Sequence, residues 1–195
     1  MGASGLDVRI PPVPADVSRE AGAMTSYTPL PLSPATLGEL RTADDAGRAP
    51  RPFTAREDGS PVDSVGSPLR CCLRAVEPGE RIALVSYAPL RRWAADAGAD
   101  PGAYEETGPV FIHADPCAEM RTGRGYPFAR PGALRAVRRY DARGHIVGGR
   151  CFEVPEDATA GFERVLDEAF AGPEVVLVHV RAVEYGCFHY EVRRP

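Results

Sequence analysis

The C-terminal stretch VLVHVRAVEYGCFHYEV, Val176 to Val192, constrains the fold of this chain more than any other segment. Two runs that alternate apolar and polar residues flank a short link, which predicts a β-hairpin with a loop at Val183-Glu184-Tyr185. Alternation along a strand divides the side chains between two faces. One face holds Val176, Val178, Val180, Phe188, Tyr190 and Val192, and the other holds Leu177, His179, Arg181, Cys187, His189 and Glu191. The second face either meets water or closes over another part of the protein.

The apolar residues of the first face also predict the register of this hairpin. If Val180 opposes Phe188, then His179 faces His189 across the strand pair. Arg181 then faces Cys187, with Cβ atoms roughly 4.5–5.5 Å apart. A shift of one residue would expose the apolar set, whereas a shift of two would preserve both faces. The faces are therefore better specified than the individual pairs.

Upstream segments predict an α+β fold, with a mainly antiparallel sheet and one α-helix on its face. The helix, at about residues 156–170, has an apolar stripe from Phe162 to Phe170. A shorter helix is expected near residues 34–41, with Ser33 as N-cap. The predicted strands are LDVRI, RCCLRAV, RIALVSY, GPVFIH, LRAVRRY and HIVGGRCFEV, and turns are expected at Pro78-Gly79 and at DARG. APLRRWAADAGADPGAYEET reads as a polar insertion with a helical turn around Trp93. Residues 1–195 would form a single domain, with residues 43–68 as a long loop or mobile segment.

Composition narrows the class of protein. A net charge of −4 lacks the basic surplus of a nucleic-acid binder, and no window approaches the ~18 apolar residues of a membrane span. The start lacks the features of a signal peptide, so we expect a cytoplasmic protein whose five cysteines are thiols. All 23 basic residues are Arg, which excludes Schiff-base chemistry on a Lys. Residues 121–150 are rich in Arg, either as solvated charge or as an anion-binding surface.

Histidines and cysteines are the residues that could carry chemistry. The pair His179 and His189 beside Cys187 resembles a set of zinc ligands, to which His113 and Cys117 of HADPC could add. The spacing matches no established zinc motif, and the histidines could instead bond to carboxylates or water. A cysteine nucleophile is the alternative, either Cys117 or Cys187 beside Arg181. Cys72 and Cys151 read as core residues. The adjacent Cys71 and Cys72 would point to opposite faces of a strand, so a redox pair is not expected there.

Four segments together resemble the family called domain of unknown function 1203. They are RCCLRAVEPGERIALVSYAPL, AYEETGPVFIHADPC, LRAVRRYDARGHIV and VHVRAVEYGCF, and the likeness covers about residues 70–193. The resemblance implies a single compact domain and carries over neither an activity nor a catalytic residue. The segments that carry the resemblance contain six of the candidate residues: His113, Cys117, Tyr140, His179, Arg181 and Cys187.

Two hypotheses about function follow. The first is a domain that binds a small molecule or an anion, with Arg181, His179 and the Arg-rich region near a shared pocket. The second is an enzyme that uses a cysteine thiolate or a metal bound by His and Cys. The candidate face comprises His113, Cys117, Tyr140, His179, Arg181, Cys187 and His189. No cofactor is indicated, and an interaction module would rest only on residues 43–68.

Overall fold

A computed structural model describes residues 27–57, 64–117 and 125–195. The predicted strand LDVRI lies outside the described residues. The helices are α1 (Pro34–Thr42), α2 (Pro89–Ala97) and α3 (Ala158–Phe170), with a 3-10 turn at Gly102–Tyr104. The strands are β1 (Phe53–Thr54), β2 (Arg81–Tyr87), β3 (Gly108–His113), β4 (Leu134–Tyr140), β5 (Ile146–Glu153), β6 (Leu177–Ala182) and β7 (Phe188–Arg193). Within the described ranges, no helix is both long and apolar enough to cross a bilayer.

The described strands form two antiparallel sheets, which confirms the α+β class. The smaller sheet has the order β1-β2-β3, and the larger has the order β5-β4-β6-β7. The turn at DARG joins β4 to β5 as predicted, and the turn at Pro78-Gly79 leads into β2, although the RCCLRAV segment before it is not a strand. Gly79 has a φ of 85° and Gly144 a φ of 84°, the left-handed backbone that glycine adopts without strain.

Helix α3 covers one face of the larger sheet, as the apolar stripe predicts. Asp157 caps its start by accepting a hydrogen bond from Ala160 N at 3.0 Å. The core between helix and sheet contains Phe162 and Leu166 from the helix and Val178, Val180 and Tyr190 from the strands. Fully burying one such side chain contributes about 1.5–3 kcal/mol, so this core is the main source of cohesion in the larger sheet.

Local sequence explains helix α1 better than helix α2. Helix α1 begins after Ser33, whose Oγ accepts a hydrogen bond from Thr36 N at 3.1 Å, and Pro34 occupies its first turn, as predicted. The segment around Trp93, predicted as one helical turn in a polar insertion, is a nine-residue helix, α2. The helix is amphipathic: Leu90 and Trp93 pack with Tyr140 and Leu177, a partner surface that local sequence does not reveal.

The register predicted for the terminal hairpin is wrong. Val180 pairs with Tyr190, not Phe188, and His179 pairs with Glu191, not His189. Arg181 pairs with Phe188, not Cys187. The reason is a shift in the β6–β7 ladder between Val180 and Arg181, which leaves His189 as the extra residue of a bulge.

The bulge also changes which face Phe188 occupies. Phe188 was expected on the same face as Tyr190, but it belongs instead to the core of the smaller sheet. Its ring lies 5.6 Å from Tyr87 and 5.1 Å from His179, measured between centroids. His179 is fully buried between Phe188 and Tyr140. Most of the second face of the hairpin is therefore buried against other parts of the protein, and Arg181 and Cys187 are partly exposed.

Backbone hydrogen bonds and one arginine join the two sheets. Leu30 N donates to Glu191 O of β7, and Leu32 N donates to Arg70 O, both at 2.9 Å. Arg70 N donates to Phe111 O of β3 at 3.0 Å. The Arg70 side chain, only 2% exposed, donates from Nε (2.8 Å) and Nη2 (2.6 Å) to Phe188 O. A single residue thus contacts the N-terminal segment, β3 and the hairpin.

Residues 43–68, expected to form a long loop, contain β1 and several anchoring contacts in their described part. Asp44 accepts a hydrogen bond from Ser86 N at 3.0 Å. Asp45 accepts one from Ala88 N at 2.7 Å and pairs with Arg92 at 2.7 Å. Residues 43–57 are therefore attached to the end of β2 and to α2. Residues 58–63 lie outside the described residues.

The position of Arg70 predicts that it is a principal stabilising residue. Replacing Arg70 by Met should lower the free energy of unfolding by about 2–3 kcal/mol, because a charge-assisted hydrogen bond to a buried carbonyl is lost. The matched control is Arg81→Met, since Arg81 is exposed and pairs with exposed Asp115; its cost should stay below about 1 kcal/mol. Urea titration measures both. Equal costs for the two variants would contradict this assignment.

Burial of His179 predicts a dependence of stability on pH. Desolvation, with smaller contributions from Arg181 and Arg138, holds the pKa of His179 well below 6.5 in the folded state. At a pH below about 6.5, His179 is therefore protonated in the unfolded chain but stays neutral in the folded chain. The free energy of unfolding falls as the pH drops below this value. Neither ring nitrogen finds a hydrogen-bond partner among the described residues.

His179→Leu, which removes the titrating group at similar volume, should preserve or raise stability at pH 7. Between pH 6 and pH 5 it should lose about 1 kcal/mol less unfolding free energy than the wild type. Urea titrations at the three pH values give this difference. Parallel stability curves for the two proteins would show that folding does not lower the pKa of His179.

Candidate metal centre

Four side chains converge at one end of the smaller sheet: Cys71, Cys72, His113 and Cys117. One donor atom from each, three sulfurs and a ring nitrogen, all lie within 4.8 Å of one another. Cys71 and Cys72 are buried, whereas His113 and Cys117 are partly exposed. The set thus runs from the protein interior to the surface.

The two adjacent cysteines converge because their segment is a loop, whereas the sequence RCCLRAV predicted a strand. Pro68 and Ala75 form an isolated bridge across its base, and Leu69 N donates to Arg74 O at 2.9 Å. Leu73 adopts a φ of 57°, a left-handed conformation that is uncommon for a residue other than glycine. The chain therefore turns back tightly, and Cys71 and Cys72 do not point to opposite faces.

Strand β3 brings the other two donors. His113 is its last residue, and Cys117 follows four positions later. Arg41 of α1 holds this connection by donating from Nε to His113 O at 3.2 Å and from Nη2 to Asp115 O at 2.9 Å. The backbone N–H of His113 donates to Cys71 Sγ at 3.3 Å, which ties the strand end to the loop.

The spacing of the Cys71, Cys72 and His113 donors is close to the spacing around a single tetrahedral ion. Cys71 Sγ lies 3.9 Å from Cys72 Sγ and 3.3 Å from His113 Nδ1, and Cys72 Sγ lies 4.0 Å from the same nitrogen. In a zinc site with bonds of about 2.3 Å to sulfur and 2.0–2.1 Å to nitrogen, the donors are about 3.6–3.8 Å apart. Three thiolates and one imidazole are a common donor set for zinc.

A carboxylate lies behind His113. Nε2 of the ring lies 3.2 Å from Glu80 Oε1, so a proton on Nε2 is donated to Glu80 and Nδ1 keeps a lone pair directed at the sulfurs. Glu80 is held in turn by Arg74 and by Glu77 N at 2.8 Å. Desolvation acts to raise the pKa of Glu80, but the hydrogen bonds from Arg74, Glu77 and His113 lower it to about 2. Glu80 is therefore an anion at neutral pH.

The two buried thiols differ electrostatically. The hydrogen bond with Cys72 lowers the pKa of Cys71, with the His113 N–H acting in the same direction and burial opposing both. That same hydrogen bond and burial raise the pKa of Cys72. Cys71 is therefore the buried sulfur that ionises more readily.

An open pocket of about 330 Å³ adjoins the cluster. Its lining consists of Arg74, Glu80, Arg81, His113, Asp115, Pro116 and Cys117. Two of the four donor residues therefore face solvent through this pocket, and two lie behind them.

The other predicted candidates lie elsewhere. Tyr140, His179 and Arg181 share the second face of the larger sheet, where Glu106 pairs with Arg181 and, at 2.8 Å, with Arg138. Burial raises the pKa of Tyr140. None of these residues belongs to the four-donor cluster.

Cys187 and His189 are also separate from the cluster, although the hypothesis of a bound metal grouped them with His113 and Cys117. His189 packs its ring against Phe128 at 5.1 Å. Desolvation and the neighbouring Arg70, Arg135 and Arg181 lower its pKa to about 3. Cys187 Sγ lies 3.8 Å from Tyr185 O. The cluster combines half of the predicted metal set with Cys71 and Cys72, which sequence reasoning set aside as strand residues.

Comparison with known proteins confirms the family resemblance and extends it by a few residues. Residues 66–194 match the family model described as "Protein of unknown function (DUF1203)". No curated protein and no solved structure matches the chain. The matched range includes all four donors of the cluster and all seven candidate residues of the sequence analysis. The chain belongs to the DUF1203 family.

Proposed function

We propose that this protein binds one Zn²⁺ ion through Cys71, Cys72, His113 and Cys117. The supporting observation is the convergence of four soft donor atoms within 4.8 Å, drawn from two segments distant in sequence. Thiolate and imidazole ligands favour zinc over magnesium or calcium, which prefer oxygen. The ion would fasten the loop at residues 69–75 to the end of β3.

Charge around the cluster supports an anionic centre. Zn²⁺ with three thiolates and a neutral imidazole carries one net negative charge. Arg70, next to Cys71, is buried, and no carboxylate among the described residues pairs with its guanidinium. Desolvation lowers its pKa to about 10, and only the charges of Cys187 and Cys71 oppose that shift. A thiolate centre would supply the counter-charge that this buried cation lacks.

The alternative of an anion-binding surface has weaker support. Within the Arg-rich region, most of the described guanidiniums already have acidic partners: Arg138 with Glu106, Arg143 with Asp141, Arg150 with Glu168 and Arg135 with Glu184. Arg121 and Arg124 lie outside the described residues. An incoming anion would compete with these carboxylates, so metal binding is the better-supported function.

Metal content provides the direct test of the proposal. Protein purified without chelator should contain close to one zinc per chain, as measured by inductively coupled plasma mass spectrometry. Replacing Cys71, Cys72 or Cys117 by Ser should in each case weaken zinc binding more than about 100-fold. This loss is larger than the loss expected when a residue that only hydrogen-bonds to a ligand is replaced. Cys151→Ser removes an exposed thiol of β5 and should leave affinity unchanged. Absence of stoichiometric metal, with no zinc uptake by the reduced protein, would refute the proposal; stoichiometric iron or copper would replace zinc as the ion.

The orienting role of Glu80 gives a finer prediction. Glu80→Gln should weaken zinc binding about 10–100-fold, because the amide is a poorer acceptor for the His113 Nε2 proton. Asp115→Asn, which changes a neighbouring acid that pairs with Arg81 instead, should bind zinc as the wild type does. Competition with a coloured zinc chelator measures both affinities. Equal affinity of the two variants would show that Glu80 does not act through His113.

A further inference from the structure

The pocket and the donor cluster share two residues, and only one of those carries a thiol. Cys117 and His113 line the pocket, whereas Cys71 is 5% exposed and Cys72 is 1% exposed. A small molecule that enters the pocket therefore meets the sulfur of Cys117 before either buried sulfur.

The pocket suits a small polar oxidant. Its volume of about 330 Å³ greatly exceeds that of a hydroperoxide, and Arg74 and Arg81 are among the residues that line it. Guanidinium N–H groups can hydrogen-bond to the oxygen that departs as the peroxide bond breaks. Cysteine thiolates react with hydroperoxides to give sulfenic acids, which condense with a nearby thiol.

We propose that Cys117 is the site at which a hydroperoxide oxidises this protein, and that Cys71 then forms a disulfide with it. The Cys117 sulfur attacks one peroxide oxygen, forming an S–O bond as the O–O bond breaks. The sulfur loses two electrons, and the peroxide is reduced to water or an alcohol after taking up one proton. The Cys71 thiolate then attacks the Cys117 sulfur and expels hydroxide, which a second proton converts to water.

Cys71 is the better partner for Cys117. Both buried sulfurs lie within 4.8 Å of the Cys117 sulfur, and Cys71 Sγ is the one that accepts a hydrogen bond from His113 N. A disulfide between the adjacent Cys71 and Cys72 would close a small ring through the peptide bond between them. If the centre holds zinc, as proposed above, the disulfide removes two of four ligands and the ion dissociates.

The experiment treats the zinc-loaded protein with one to five equivalents of hydrogen peroxide. Zinc release is followed with a coloured chelator, and non-reducing digestion with mass spectrometry identifies the linked peptides. We expect one zinc released per chain, a Cys71–Cys117 peptide, and reversal by dithiothreitol with zinc. Dimedone added during oxidation should label Cys117 first. Cys151→Ser and Cys187→Ser should behave as the wild type.

The outcomes separate this inference from the proposed function. If zinc is bound but Cys117 stays reduced while peroxide oxidises Cys151 or Cys187, the oxidation site is wrong and the metal site stands. A Cys71–Cys72 disulfide would also overturn the inference. If no metal binds, the same labelling on metal-free protein still tests it: dimedone on Cys117 supports the site, and an unlabelled Cys117 refutes it.

Discussion

The buried guanidinium of Arg70 is the interaction on which the rest of the structure depends. Its side chain bonds to the β7 carbonyl of Phe188, while its backbone bonds to Leu32 and to Phe111 of β3. Arg70 contacts both sheets. The relative position of the two sheets and the burial of its guanidinium therefore depend on each other. Cys71 follows Arg70 directly, and therefore the contact that joins the sheets also places the first sulfur of the cluster.

Elements governed by local periodicity were predictable. The helix at Ala158–Phe170, the β4–β5 hairpin and the turn at Pro78-Gly79 each depend on residues within one short window. The pair His113 and Cys117 could also be recognised as candidate metal ligands, because a histidine ends a strand and a cysteine follows within one loop. The family assignment agrees with these elements but adds no chemistry.

The remaining features depend on contacts that a local pattern does not contain. Leu73 adopts a left-handed backbone without being a glycine, so the convergence of Cys71 and Cys72 carries no turn signal. The adjacency of the two cysteines was the available clue. Likewise, the bulge at His189 lacks glycine, and it arises where Phe188 gains a place in the smaller core. In both cases tertiary packing overrides strand alternation.

The donors of the cluster occur as two short groups, at residues 71–72 and 113–117, and the chain between them contains β2, α2 and β3. An ion joining the groups would close a loop of about 40 residues, and a cross-link of that span removes about 4 kcal/mol of unfolded-chain entropy. The larger sheet has its own core under α3 and gains little from this closure. Loss of the ion would therefore destabilise the smaller sheet more than the larger sheet. If zinc fills the site, loss of the ion would expose the segment between residues 71 and 117 to proteases first.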